Sequence, residues 1–89
     1  QSLRLEWVRG ADGVELAAHI YSTPSLRQVA ASRDLARVAL SVGAQVRVVA
    51  RSGALELSHA LATPTNALAL SGDGQRLAFG DGGALRVFA

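Results

Sequence analysis

The sequence predicts an all-β chain of short antiparallel strands, and three observations carry that expectation. The first is self-similarity. Displaced by 39 residues, Ser32–Ala50 (SRDLARVALSVGAQVRVVA) lies on Ser71–Ala89 (SGDGQRLAFGDGGALRVFA) without a gap, and eight of nineteen positions are identical. A fixed period near 40 residues is the mark of a repeat architecture. The second is the recurrence of Gly, Asp and Ser between short apolar runs, which is how strands and tight turns alternate. The third is the composition of the apolar half: 17 Ala, 13 Leu and 9 Val stand against one Trp, one Tyr and two Phe. Small aliphatic side chains fill thin layers, and thin layers suit sheets stacked on sheets.

The elements follow in order. Leu3–Val8 and Val14–Tyr21 flank Gly10-Ala11-Asp12-Gly13, a hairpin turn in which Asp-Gly tolerates positive φ. The next stretch, Pro24–Leu40, favours helix by propensity alone, with Thr23 or Ser25 as a cap and Pro24 in the first turn. Its copy overrules that, because Ser71-Gly72-Asp73-Gly74 would break a helix in its middle. If both copies share one fold, both are strand–turn–strand, giving Leu26–Ala31, Ala36–Ser41 and Val46–Ala50. Leu55–Leu61 follows after Arg51-Ser52-Gly53. Ala67–Ser71, Arg76–Phe79 and Leu85–Phe88 complete nine strands, with Asp81-Gly82-Gly83 turning the last hairpin.

Composition also excludes. A chain that is 49% hydrophobic and 18% charged is too apolar for intrinsic disorder. No apolar run approaches the 18 residues of a membrane span, so no membrane partner is expected. Nine arginines against seven acids leave a net charge of +2 with no basic stripe, so nucleic acid is not expected either. Cysteine is absent, which removes disulfides, thiolate zinc sites and a Cys nucleophile, and leaves the compartment open with the cytoplasm favoured. The chain opens at Gln1 without Met and reads as a portion of something longer.

From Ala67 onward the residues resemble the WD-repeat β-propeller family, whose repeats of about 40 residues each form one four-stranded blade. Ala67–Ser71, Asp73-Gly74, Gln75–Ala78, Asp81-Gly82 and Leu85–Ala89 are similar to that family's inner strand, Asp-Gly turn, second strand, turn and third strand. The resemblance implies a fragment of a β-propeller, about two four-stranded antiparallel blades. Residues 1–25 would end one blade, 26–61 make one full blade, and 67–89 supply three strands of the next. The departures are plain. The closing Trp-Asp is Phe88-Ala89 in one copy and Val49-Ala50 in the other, the Gly-His before the inner strand is missing although His59 lies nearby, and Phe79 and Leu40 stand where a Ser would join a buried network. Such blades would be held by apolar packing alone, and neighbouring propeller families stay open as alternatives. A blade needs cover on both faces, so the chain is expected to expose apolar sheet on both sides.

Little suggests chemistry. His19 and His59 occupy similar places on outer strands with no further ligand at metal spacing, and read as surface or half-buried histidines. The glycine-rich turns lack the lysine, helix or spaced carboxylates of phosphate or calcium loops, and Asp34 and Asp73 read as partners of turn amides. No serine has a nucleophile-elbow context. No catalytic residue, cofactor or metal is expected. Trp7 reads as core. Arg47 and Arg86 read mainly as arginines whose stems cover sheet edge, or as contacts to an acidic partner.

The resemblance implies a non-catalytic protein–protein interaction scaffold or recognition module within a larger propeller. Its partners would be other protein chains, including those that carry the remaining blades. The candidate contacts lie on turns at the rim, where loops on a rigid scaffold carry binding: Thr23, Ser25, Gln45, Thr65 and Asp81, with Arg47 and Arg86. Two alternatives are a ligand-sensing propeller domain of a larger signalling or defence protein, and part of a propeller enzyme. The latter would need several polar side chains on the inner strands, where Leu26–Ala31 offers Arg27 and Gln28 and Ala67–Leu70 offers none.

Overall fold

A computed structural model describes residues 2–22 and 26–88. They form nine strands, with no helix among the described residues: β1 (Ser2–Val8), β2 (Glu15–Ser22), β3 (Leu26–Ala31), β4 (Arg37–Val42), β5 (Gln45–Ala50), β6 (Leu55–Ala60), β7 (Leu68–Leu70), β8 (Leu77–Asp81) and β9 (Ala84–Phe88). All pairings are antiparallel, in three sheets of sequential order, β1-β2, β3-β4-β5-β6 and β7-β8-β9. The helical propensity of residues 26–40 yields to β3, a turn and β4. β7 is shorter than expected because the Ala67 amide donates to Thr65 Oγ1 rather than into the ladder. β8 is longer, running to Asp81 because the turn needs only Gly82 and Gly83.

Local chemistry repeats with the sequence. In the turn before β4, the Leu35 amide donates to the Ser32 carbonyl and the Ser32 amide to the Arg37 carbonyl. Ser32 Oγ donates to Asp34 Oδ1 and accepts from the Arg37 amide, while Asp34 Oδ1 accepts from the Ala36 amide. The turn before β8 reproduces these bonds one for one through Ser71, Asp73, Gly74, Gln75 and Arg76. The shared backbone bends into the left-handed region at Leu35 (φ 60) and Gly74 (φ 72). Glycine suits that conformation and leucine is strained there.

The four-stranded sheet lies between the other two, which is why β4 and β5 are almost wholly buried. Because side chains alternate along a strand, the two faces feed two cores. Val38, Leu40, Val42 and Val49 pack with Trp7 of the first sheet, joined by Leu3, Leu5, Ala17 and Tyr21. Ala39, Val46 and Val48 pack with Leu61, Leu77 and Phe79 on the opposite side. Phe79 has no exposed surface, a burial that contributes about 1.5–3 kcal/mol, and its ring meets Phe88 and His59 at 5.1 and 5.4 Å between centroids.

Polar latches join the sheets at one end. Trp7 Nε1 donates to the Leu35 carbonyl, the Arg33 amide donates 2.7 Å to the Gly72 carbonyl, and Arg37 Nη1 donates to the Gly74 carbonyl. His19 Nε2 donates to the Arg51 carbonyl at 2.7 Å, and the Tyr21 hydroxyl to that of Gly53.

The outer faces differ in degree: the first sheet exposes Val8 and Ile20 among charges, and the third is wholly apolar within its strands. Opposite Leu3, Leu5 and Trp7, the first sheet presents Arg4, Glu6 and Glu15, with Arg4 ion-paired to both glutamates, and Ile20 among them. On the third sheet the face opposite Leu77 and Phe79 carries Ala69, Ala78, Gly80, Leu85 and Val87, with Leu85 73% and Val87 61% exposed. It holds no charge.

Candidate interaction surface

The turns lie at two ends of the stack. At one end, the hairpins Gly43-Ala44 and Gly82-Gly83 meet the link from Leu61 to Ala67. The Leu61 amide donates to the Ala44 carbonyl and the Ala62 amide to Asp81 Oδ1. The glycines at the first turn position, at φ 52 and 62, supply the backbone sign that two-residue hairpins need. This end gathers Gln45, Arg47, Thr65, Asp81 and Arg86, while Thr23 and Ser25 lie outside the described residues.

Most of these side chains are already occupied. Gln45 Oε1 accepts two bonds from Arg47. Asp81 accepts from the Ala62 amide and from Arg86 Nε at 2.9 Å, with His59 Nε2 3.8 Å away. The Ala62 amide first, then the Arg86 guanidinium and nearby His59, hold the Asp81 carboxyl below its ordinary range. Thr65 is buried, its Oγ1 bonded to Ala67, and 3.1 Å from where a Cβ on Gly80 would stand. Thr65 thus fastens the link through its buried side chain. Gln45, Arg47 and Arg86 remain reachable at the surface.

The opposite end holds a feature outside the expected sites. A cleft of about 760 Å³ opens between the middle and third sheets, lined by Arg37, Glu56, Leu57, Arg76, Leu77 and Phe88 among others. Arg37 Nε donates to Glu56 Oε1 at 2.8 Å, both half-buried. Arg76, the copy of Arg37, has its backbone held the same way through Ser71 Oγ, yet its guanidinium has no hydrogen-bond or ion-pair partner among the described residues. The sequence signal was the Arg37/Arg76 identity.

Asp34 and Asp73 do take turn amides. The Ala36 amide and Ser32 hydroxyl lower the Asp34 carboxyl, and the Ser71 hydroxyl and Gln75 amide that of Asp73. His59 stacks on Phe79 and Phe88. Among the described residues no group of three His, Cys, Asp or Glu is placed to hold a metal ion. The arrangement offers hydrogen-bonded turns, an apolar face and an ion-lined cleft, which are means of binding. The chain matches no protein-family model and no curated protein.

Proposed function

We propose that the chain is a segment of a WD-repeat-like β-propeller that acts as a protein–protein interaction scaffold and has no catalysis of its own. The observation that carries this reading is the bond-for-bond repetition of the turns at Ser32–Arg37 and Ser71–Arg76, with the sheets stacked in sequence order. Units of this kind cannot bury their faces alone and are stabilised by neighbours. The middle sheet has cover on both sides; the third presents Leu85 and Val87 to solvent and calls for a further sheet. In this reading the first sheet meets its neighbour through polar contacts, since its ion-paired Arg4 is costly to desolvate.

Chain extension tests the architecture. Ala50 and Ala89 are copies of each other, so appending a second copy of residues 51–89 after Ala89 keeps the phase. A stacking repeat gains thermal stability of several degrees and protects the Leu85 and Val87 amides from exchange. An appended copy that leaves both unchanged would overturn the repeat reading. The scaffold role is tested by comparing cross-linked partners of the parent protein with and without Gln45→Ala and charge reversal of Arg47 and Arg86 at the accessible rim. An identical partner set would remove it.

A further inference from the structure

Arg47 and Arg86 hold equivalent places, each the third residue of its strand, on β5 and β9. Only one of them is neutralised. The Arg86 guanidinium takes the Asp81 carboxylate at 2.9 Å, and the Ala62 amide fixes that carboxylate in turn. Asp81 belongs to the hairpin of the same sheet, where it pairs with Ala84. In the middle sheet the same hairpin position is Val42, which pairs with Gln45 and is fully buried in the core shared with the first sheet. The difference is written into residues 42–47, in the four-stranded sheet between its two neighbours. Arg47 makes no ion pair among the described residues, and residues 1, 23–25 and 89 include no Asp or Glu.

In place of an acid the middle sheet offers Gln45. Its Oε1 accepts from Arg47 Nε at 3.1 Å and from Nη2 at 2.7 Å, so the guanidinium is oriented without being neutralised. Arg47 keeps both N–H bonds of Nη1 and one of Nη2, and Gln45 keeps both of Nε2, with no acceptor for them among the described residues. A guanidinium held in advance loses less freedom when it takes a planar anion. Its donors, with those of the adjoining carboxamide, suit the two oxygens of a carboxylate. One cation is a poorer match for a phosphate group, which carries up to about two negative charges. Arg86 shows on the same molecule which anion this position takes.

We infer that Arg47 and Gln45 form a receptor for one carboxylate, that of an aspartate or glutamate on a protein partner seated at the β4–β5 hairpin. The partner's carboxylate does for Arg47 what Asp81 does for Arg86, and the contact selects for charge and weakens with salt. The inference rests on the scaffold reading above and names the chemistry of its partner. Gln45→Glu separates the two, because it puts a carboxylate on the atom that already accepts from Arg47 and neutralises the guanidinium from within. Cross-linked partners that are lost on charge reversal of Arg47 yet persist with Gln45→Glu would remove this inference and leave the scaffold standing. Partners indifferent to every rim variant would remove both.

The site itself is read by nuclear magnetic resonance. The capped tripeptide Ac-Gly-Glu-Gly-amide is titrated into the isotope-labelled 89-residue protein at constant ionic strength, beside its glutamine counterpart and inorganic phosphate. The readout is the Arg47 Nε and Gln45 Nε2 signals. The expected result is a saturable shift of both, with a dissociation constant on the order of 10 mM, while the Arg86 Nε signal stays in place. The glutamine peptide is expected to bind roughly tenfold more weakly, and phosphate more weakly than the glutamate peptide. Gln45→Glu is expected to abolish the Arg47 shift, and Arg47→Gln the Gln45 shift, each with unchanged thermal stability. Equal affinity for the two peptides, tighter binding of phosphate, an Arg47 shift that survives in Gln45→Glu, or no saturation up to about 100 mM would each overturn the proposal.

Discussion

Gly53 joins the first two sheets in a way that a single methyl group tests. Its φ is +96°, and a Cβ there would lie 2.7 Å from Nδ1 and 2.8 Å from Cε1 of His19. The imidazole cannot swing away freely, because Nε2 is bonded to the Arg51 carbonyl and the ring stands edge-on to Trp7 at 6.0 Å. Gly53→Ala therefore combines two costs. The left-handed backbone contributes about 1–2 kcal/mol. Displacing His19 forfeits about 1 kcal/mol of hydrogen bond and about 0.5 kcal/mol or more of ring contact. The sum is about 3 kcal/mol, a fall in Tm on the order of 15 °C for a chain of this size. Urea unfolding followed by the fluorescence of Trp7, the only tryptophan and part of that very interface, measures it. In a His19→Ala background the methyl meets no ring, and only the backbone cost of about 1–2 kcal/mol remains. A double-mutant cycle is expected to return a coupling of about 1 kcal/mol or more; costs that add to within about 0.5 kcal/mol would refute the latch.

The repeated turns predict opposite outcomes for exchanged residues. Leu35→Gly relieves a left-handed leucine that is half exposed and is expected to stabilise by about 0.5–1 kcal/mol after the entropy of glycine is set against it. Gly74→Leu is expected to destabilise by about 2 kcal/mol, its Cβ pressing on Arg37 Cδ at 3.2 Å; urea midpoints check both. Asp34, Asp73 and Asp81 have carboxyls held below their ordinary range. A depressed carboxyl stabilises the fold above its unfolded pKa and loses that contribution as pH falls through the folded one. Urea resistance is thus expected to decline as the pH drops below about 4, and Asp73→Asn to flatten the decline. Ser41 is fully buried with Oγ lacking a partner, beside the orphaned Oε1 of its strand neighbour Gln28. Ser41→Ala is expected to be neutral or stabilising by up to about 1 kcal/mol, since it removes an unsatisfied group; a loss of more than about 1 kcal/mol would show that the hydroxyl is bonded in solution.

Strand order and turns were legible because they are written in local chemistry. Asp12-Gly13, Gly43, Gly74 and Gly82 announce positive φ, and the second copy settled the conflict over residues 26–40 that propensity alone would decide wrongly. The wet outer face of the first sheet was missed although Leu3-Arg4-Leu5-Glu6-Trp7 alternates strictly, the pattern of a half-solvated strand. Repetition drew the reading towards apolar faces on both sides. Thr65 looked like a loop tip among Ala62, Thr63 and Pro64, and its burial depends on Gly80 of another strand, which no local pattern reports. The cleft at Arg76 was hidden for the same reason. Only stacking brings Leu57 over Leu77 and Phe88.

The bond from the Arg33 amide to the Gly72 carbonyl joins main chain to main chain across two units. A joint of that kind is indifferent to most side chains around it; even a Cβ at position 72 would meet only the Arg33 guanidinium, 3.0 Å away at the free end of a flexible side chain. Over generations the flanking sequence is free to drift while the spacing between units is preserved. Copies linked this way come to look unrelated along their strands long before they cease to fit, and the corners, where backbone meets backbone, are the last place their common origin stays readable.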